Sequence, residues 1–79
     1  MNLHIIYTKS EIILSKKHYE SWREIQDEYY FYKTSLGPWN VEETEDYLKD
    51  EYPKIYPSVS EQLNRFIQSS DIVHIVTFT

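Results

Sequence analysis

The sequence has no cysteine, no alanine and a single glycine. Without cysteine the chain cannot form a disulfide, a thiolate nucleophile or a cysteine-ligated zinc site. No apolar run approaches the roughly 20 residues that a membrane-spanning helix needs, and residues 1–4 lack the basic and apolar regions of a secretory signal peptide. These absences predict a cytoplasmic protein, located in the host cytoplasm if the gene belongs to a phage.

Sequence motifs for catalysis are also missing. The chain contains no His-Glu-x-x-His pair, no calcium-loop spacing, no glycine-rich phosphate loop and no nucleophile elbow. His4 and His74 lie in apolar runs at the two ends of the chain and would approach each other if those runs paired as strands. Two histidines make a weak metal site, so we interpret both as packing or hydrogen-bonding residues. We expect no enzyme activity, no metal and no cofactor.

Length and aromatic content indicate one folded domain. A chain of 79 residues with 41% hydrophobic content can build one core but not two, so residues 1–79 are predicted to form a single domain. Disordered acidic chains are poor in aromatic residues, whereas this chain is 16% aromatic at a net charge of −5. Its eight tyrosines, many isoleucines and missing alanine indicate AT-rich codons, as in an AT-rich bacterium or its phage.

The first half of the chain predicts two strands and a long helix. Apolar and β-branched residues dominate residues 3–8 and 11–14. The two runs could pair as a hairpin, but Lys9-Ser10 is a poor two-residue turn, so the alternative is that the second run only leads into the helix. Ser15 is a suitable N-cap for a helix over residues 16–33. At helical spacing, one core-facing stripe contains His18, Trp22, Ile25, Tyr29 and Tyr32. A second patch combines Tyr19, Arg23, Gln26 and Tyr30, and Phe31 belongs to neither.

A turn and a second helix are predicted next. Residues 34–39 contain Gly37 and Pro38 and indicate a turn. Asn40, with Glu43 three residues later, has the spacing of a capping box and predicts a helix that ends before Pro53. The segment that follows is expected to be extended, as a short edge strand.

The C-terminal part predicts a third helix and a strand. Ser58 and Glu61 repeat the capping-box spacing, and the apolar stripe of the helix contains Val59, Leu63, Phe66 and Ile67. Residues 72–78 are apolar on both faces, which predicts a covered central strand beside residues 3–8. The predicted fold is α+β, or small α/β. It is a two-layer sandwich of two to three strands, with the N- and C-terminal strands adjacent and about three helices packed on the sheet.

Almost all of the net charge lies in one segment. Residues 41–52 contain six acidic residues and one lysine, whereas acidic and basic residues balance in the rest of the chain. On the predicted helix, Val41, Thr44, Leu48 and Tyr52 form the buried stripe, opposite most of the acids. Repeated like charges at i,i+4 spacing destabilise a helix by roughly 0.2 to 0.5 kcal/mol per pair. A solubilising role and a binding role are both consistent with this pattern.

The binding interpretation predicts aromatic anchors surrounded by an acidic rim that speeds encounter with a basic protein. The residues expected to contact the partner are Trp39, Glu42, Glu43, Asp46, Tyr47, Asp50 and Tyr56. Direct binding to nucleic acid is disfavoured, because the lysines and arginines are dispersed among acids and form no basic surface.

The order of these features resembles that of the barstar family of ribonuclease inhibitors. The resemblance rests on an opening strand, the helix after Ser15, the pair Tyr29 and Tyr30, Trp39 before an acidic helix, and a closing helix and strand that end in residues 71–79. It implies a parallel sheet and inhibitory contacts from a helix and its preceding loop. The chain lacks the family's glycine after the tyrosine pair and has a shorter middle, so no functional residues are carried over.

Three functions follow as hypotheses. The first is a small inhibitor that occupies a basic groove on a nucleic-acid-handling protein, as anti-CRISPR and other phage anti-defence proteins do when they mimic DNA. The second is a barstar-like immunity protein or antitoxin that neutralises a nuclease. The third is an assembly subunit whose exposed aromatic residues form a homodimer interface.

Overall fold

Four strands and three helices make up the computed structural model, which describes residues 1–78. The strands are β1 (Asn2–Thr8), β2 (Ile12–Ser15), β3 (Tyr32–Asn40) and β4 (Val73–Ile75), and the helices are α1 (Trp22–Glu28), α2 (Val41–Glu51) and α3 (Val59–Gln68). The predicted α+β class is confirmed, with four strands where two or three were expected. Thr79, the last residue of the segment used for the barstar resemblance, lies outside the described residues.

The strands form one antiparallel sheet in the order β3-β1-β2-β4. Of the two alternatives for residues 11–14, the structure has the hairpin of β1 and β2, with Ile5 opposite Leu14 and Ile6 opposite Ile13. The Thr8 amide donates to the Glu11 carbonyl at 3.0 Å and closes the turn between the two strands. The parallel sheet implied by the barstar resemblance is not present among residues 1–78.

The predicted pairing of the terminal strands is wrong, because β2 lies between β1 and β4. Both edges of β1 are already occupied, one by β2 and the other by β3. The C-terminal strand therefore pairs with the outer edge of β2 and lies at the edge of the sheet, not at its centre.

The long helix predicted over residues 16–33 is also wrong, since only Trp22–Glu28 is helical. Ser15 does not cap this helix. It is fully buried at the end of β2, where its hydroxyl lies 3.1 Å from the Tyr19 hydroxyl and accepts a hydrogen bond from the Lys17 amide. The turn predicted at residues 34–39 belongs instead to β3, because aromatic and β-branched residues favour a strand when a pairing edge is present.

The predicted helical stripe is therefore divided between different elements. Ile25 is buried as expected and Tyr29 and Tyr32 are half-buried, but His18 and Trp22 are exposed. Tyr19, placed on the outer patch by the helical spacing, is buried because the chain before α1 is not helical.

Side chains of β1 point alternately to two cores on opposite faces of the sheet. The larger core lies between the sheet and helices α2 and α3, and its buried members are Leu3, Ile5, Leu14, Leu48, Ile55, Val59, Leu63, Phe66 and Val76. The smaller core contains Ile6, Ile13, Tyr19 and Ile25, which brings α1 onto the other face. The predicted two-layer sandwich is thus extended by a short third layer.

Both predicted helix starts after residue 33 are confirmed. At α2, the Glu43 amide donates to Asn40 Oδ1 at 2.8 Å and the Asn40 amide donates to Glu43 Oε1 at 3.0 Å, which is the reciprocal capping box. At α3, the Ser58 hydroxyl accepts from the Glu61 amide. Helix α2 ends at Glu51, before Pro53 as predicted. The expected edge strand after it is reduced to one bridge, between Ile55 and Phe78.

Gly37 allows β3 to approach β1 closely. Its φ of 115° is a conformation that residues with a side chain rarely adopt, and a Cβ placed there would lie 2.6 Å from the Leu3 carbonyl oxygen. The pairing of β3 with β1 shifts register between Leu3 and Ile5, beside this contact. The glycine is therefore required by the backbone geometry at the bulge.

We expect Gly37→Ala to lower the free energy of unfolding by about 2 kcal/mol or more, because both the backbone conformation and the space around the new Cβ are unfavourable. Urea denaturation followed by circular dichroism measures the change. Lys33→Ala, at an exposed position of the same strand, is the control and should change stability by less than about 0.5 kcal/mol. Equal stability of the two variants would contradict the requirement for glycine at position 37.

Candidate functional site

Helix α2 has one buried side and one acidic side. Thr44 and Leu48 are buried and Val41 and Tyr52 are half-buried, which confirms the predicted stripe. Helix α2 packs against β1, β3 and α3 through this stripe. The acidic residues are consequently presented to solvent on the opposite side.

Two of the acidic residues on α2 have structural partners. Glu43 completes the capping box at the helix N-terminus. Glu45 accepts a hydrogen bond from the Lys49 ammonium at 2.7 Å and another from the Ser60 hydroxyl at 3.3 Å. The ammonium of Lys49 holds the pKa of the Glu45 carboxyl below its ordinary value. These contacts account for Glu43 and Glu45 without a binding partner.

The other four carboxylates of α2 have no such partner, and three of them lie on one side of the helix. Glu42, Asp46 and Asp50 are exposed, and none of the ion pairs within residues 1–78 involves them. Their i,i+4 spacing places them in one row, with about 6 Å of helix rise between neighbours. We call this row, Glu42, Asp46 and Asp50, the acidic face. It is the part of the predicted site that the structure leaves fully available.

A chain of tyrosine hydroxyls fastens α2 to the sheet. The Tyr52 hydroxyl donates to the Tyr7 hydroxyl at 2.9 Å, and the Tyr7 and Tyr47 hydroxyls are 3.0 Å apart. Burial, followed by these two hydrogen bonds, raises the pKa of Tyr7 above its ordinary value. Tyr7 therefore stays neutral and links β1 to Tyr47 on α2 and to Tyr52, the C-cap of that helix.

Trp39 and Tyr47 lie together next to the acidic face. Their rings meet edge to face with 5.1 Å between centroids, and both side chains are half-buried against the larger core. The two predicted anchors are thus adjacent to each other, as a binding surface requires. They also contribute to the core, so each has a structural role as well.

Tyr56 is separated from this pair. It follows the C-terminal end of α2, whereas Trp39 precedes the N-terminal end, and the 11-residue helix between them is roughly 16 Å long. The Tyr56 amide donates to the Thr77 carbonyl, and the side chain is 64% exposed. The structure therefore places Tyr56 near the opposite end of the acidic face from Trp39.

Sequence reasoning missed an exposed aromatic pair between α1 and β3. Tyr30 is 94% exposed and Phe31 is 57% exposed, and their rings stack edge to face at 4.9 Å. The ammonium of Lys9, in the turn between β1 and β2, lies 5.7 Å from the centre of the Phe31 ring. The failure of Phe31 to fit either stripe of the predicted helix was the available signal that this segment was not helical.

Near the smaller core, a polar cluster fixes the segment before α1. Glu28 accepts a hydrogen bond from the Lys17 ammonium at 2.8 Å and another from the Tyr19 hydroxyl at 2.5 Å. Both contacts lower the pKa of Glu28 below its ordinary value. Burial and then the bond to Glu28 raise the pKa of Tyr19. This arrangement satisfies polar groups around the small core and holds residues 16–21 in place.

His4 and His74 do not meet. His4 is opposite Ser15 on the face of the smaller core and stacks edge to face on Tyr19, at 5.0 Å between centroids. His74 is opposite Leu14 on the other face, where its Nε2 is 2.8 Å from Gln62 Oε1. Within residues 1–78, no group of three or more histidine, aspartate or glutamate residues is arranged to hold a metal ion.

No helix in the described part of the chain is both long and apolar enough to cross a membrane. Comparisons with models of protein families, with curated proteins and with solved structures find no match to this chain. Function is therefore inferred from the geometry and charge of the chain itself.

Tyr7→Phe should destabilise the protein by about 1 kcal/mol, because it removes the central hydroxyl of the chain and leaves Tyr47 and Tyr52 without that partner. Thermal and urea unfolding measure the difference. Tyr56→Phe removes a hydroxyl from an exposed residue and should leave stability unchanged. If Tyr7→Phe unfolds like the unmodified protein, the tyrosine chain does not stabilise the attachment of α2.

The two sheet histidines should make the fold less stable in mild acid. Burial lowers the pKa of His4 and of His74 below the ordinary value of 6.5. The unfolded chain therefore binds more protons as the pH falls through about 6.5, and the free energy of unfolding decreases there.

We expect urea midpoints to fall between about pH 7.5 and about pH 5.5, with a smaller decrease for His74→Gln. His18→Gln is the control, because the His18 side chain is 83% exposed. It should retain most of the decrease, since burial is the main cause of the lowered His4 pKa and the charge of His18 is a smaller one. An unchanged pH dependence in His74→Gln would show that His74 does not contribute.

Proposed function

We propose that this protein is a small acidic inhibitor that binds a basic, nucleic-acid-binding groove of another protein through the acidic face of α2. The observation that carries the proposal is the exposed row of unpaired carboxylates at Glu42, Asp46 and Asp50. The rest of the chain has balanced charge. An acidic helix on an otherwise neutral protein is complementary to a surface that normally contacts phosphates.

The position of the carboxylates supports a binding role over a merely solubilising one. Acidic residues favour the first turn of a helix, where the helix dipole stabilises them, which accounts for Glu42. Asp50 lies in the last turn, where the dipole disfavours a negative charge. Asp46 faces like charges one turn away on both sides, at roughly 0.2 to 0.5 kcal/mol per pair. Solubility alone could be achieved with acids dispersed over the surface.

The inhibitor would act by occupying the groove and excluding nucleic acid, without binding nucleic acid itself. This is the mode of phage-encoded anti-CRISPR and other anti-defence proteins that mimic DNA, and an inhibitor of this kind would act in the cytoplasm of the host cell. Tyr47 and Trp39 border the acidic face and would contribute apolar contacts beside the charged row. No reaction is required of the protein, because occupancy alone blocks the target.

The triple variant Glu42→Gln, Asp46→Gln, Asp50→Gln tests the proposal once the partner has been captured from host lysate. We expect association at low salt to slow by about tenfold or more, and its dependence on salt concentration to flatten, because exposed charges steer encounter over a Debye length of about 8 Å at physiological ionic strength. Stopped-flow or surface plasmon resonance at two salt concentrations measures both effects. The fold should be retained, since Gln is a good helix former.

A matched control changes the net charge equally at other sites. Glu11, Asp27 and Glu61 are exposed and lie outside α2, so replacing these three by Gln should affect association much less. Equal slowing by the two triple variants would mean that total charge, and not the acidic face, drives binding. A captured partner that is a toxic nuclease encoded beside this gene would instead favour the immunity-protein hypothesis.

A further inference from the structure

The two edges of the sheet differ in how they are protected from pairing. The outer edge of β3 contains Pro38, which has no amide hydrogen to donate, and Lys33, and its pairing with β1 is interrupted by register shifts. Proline, lysine and bulges are the devices by which proteins prevent edge strands from pairing with other chains. The edge formed by β4 has the sequence Val73-His74-Ile75 and contains no proline, lysine or bulge. Its protection is limited to its short length and to the backbone of Tyr56, which covers the chain beyond it at Thr77.

The backbone of β4 has hydrogen-bonding groups directed away from the sheet. The Lys16 amide donates to the Ile72 carbonyl and the Val76 amide donates to the Ile12 carbonyl. In an antiparallel ladder, alternate residues bond to the same neighbour, so His74 also faces β2. The amide and carbonyl groups of Val73 and Ile75 consequently point outward from the edge.

Apolar side chains accompany these outward backbone groups. Val73 is opposite Ser15 and Ile75 is opposite Ile13, which places both on the face of the smaller core. Helix α1 packs over β3 at the other side of that face and leaves Val73 42% and Ile75 47% exposed. The edge is thus open in its backbone and apolar in its side chains.

We propose that β4 pairs antiparallel with β4 of a second copy of this chain, about a two-fold axis at His74, to form a continuous eight-stranded sheet. This register places Val73 of each copy opposite Ile75 of the other, and both pairs exchange the backbone hydrogen bonds that are open in one copy. The four β-branched side chains then form one apolar cluster on a single face.

The distribution of charge favours a second copy as the occupant. Helix α2 packs on β1 and β3, on the far side of the sheet from β4, so pairing through β4 keeps the two acidic faces at opposite ends of the dimer. Pairing is confined to Val73–Ile75, because the Thr77 carbonyl already accepts from the Tyr56 amide, and these three residues contain no acid. His74 lies opposite His74 of the other copy, and burial lowers the pKa of this histidine and so favours its neutral form.

Because β4 is short, we expect the two copies to associate weakly. Stable interfaces bury at least about 1,000 Å² in total, and β4 has only three residues. We therefore expect a dimer that dissociates on dilution. Sedimentation equilibrium from about 1 µM to about 1 mM protein should show the mass rising from 9.6 kDa toward twice that value.

Ile75→Lys places a charge on the pairing edge and should keep the protein monomeric over the same range. Thr34→Lys, at an exposed position of β3, is the matched control and should dimerise like the unmodified protein. The triple Gln variant of the acidic face should also dimerise, which separates this proposal from the proposed function. A monomer at every concentration, or dissociation by Thr34→Lys and not by Ile75→Lys, would overturn the proposal.

Cysteine cross-linking tests the register directly, because the chain has no cysteine of its own. Opposed residues of a hydrogen-bonded antiparallel pair have Cα atoms about 5.5 Å apart, within the range of a disulfide. An oxidised mixture of the Val73→Cys and Ile75→Cys variants should give a cross-linked dimer with one chain of each kind. Cross-linking of each variant only with itself would overturn the register, even if Ile75→Lys unfolds the protein.

Discussion

Burial of β1 on both faces is the constraint on which the other elements depend. Leu3 and Ile5 point into the larger core and Ile6 into the smaller one, and all three are fully buried. Only a strand covered on two sides and paired along both edges satisfies these side chains together with their backbone groups. To meet this requirement, β3 pairs with the second edge of β1, α1 packs on one face of the sheet and α2 packs on the other.

The attachment of α2 shows how the protein tolerates a concentration of negative charge. Repulsion within the acidic face opposes the helix, but the capping box, the buried stripe and the contacts of Tyr47 and Tyr52 with Tyr7 all act to hold it. The helix is therefore stabilised from its buried side and its N-terminus, and the acidic face has no structural role. Such a division allows charge to accumulate on one surface without loss of the fold.

The two edges of the sheet also differ in their chemistry. One edge is protected by Pro38, Lys33 and irregular pairing, and it adjoins the strand that leads into the acidic helix. The other edge is open and apolar and lies away from the charge. The acidic face and the β4 edge are thus two surfaces of different chemistry at opposite ends of the sheet, which is the basis of the two proposals.

Local signals in the sequence determined β1, α2, α3 and the acidic face, because strand alternation, helix caps and the clustering of charge are all encoded within a few neighbouring residues. They left two alternatives for β2, because Lys9-Ser10 is a poor hairpin turn. They did not determine residues 16–40, where the spacing of Ile25 and Tyr29 fits one long helix although only Trp22–Glu28 is helical and Tyr32–Asn40 is a strand. Nor did they place β4, whose apolar residues indicate a central strand although it lies at an edge. Those outcomes were decided by tertiary structure. Which strand occupies each edge of β1 is a competition between segments distant in the chain, and its result depends on pairing and burial that no local pattern contains.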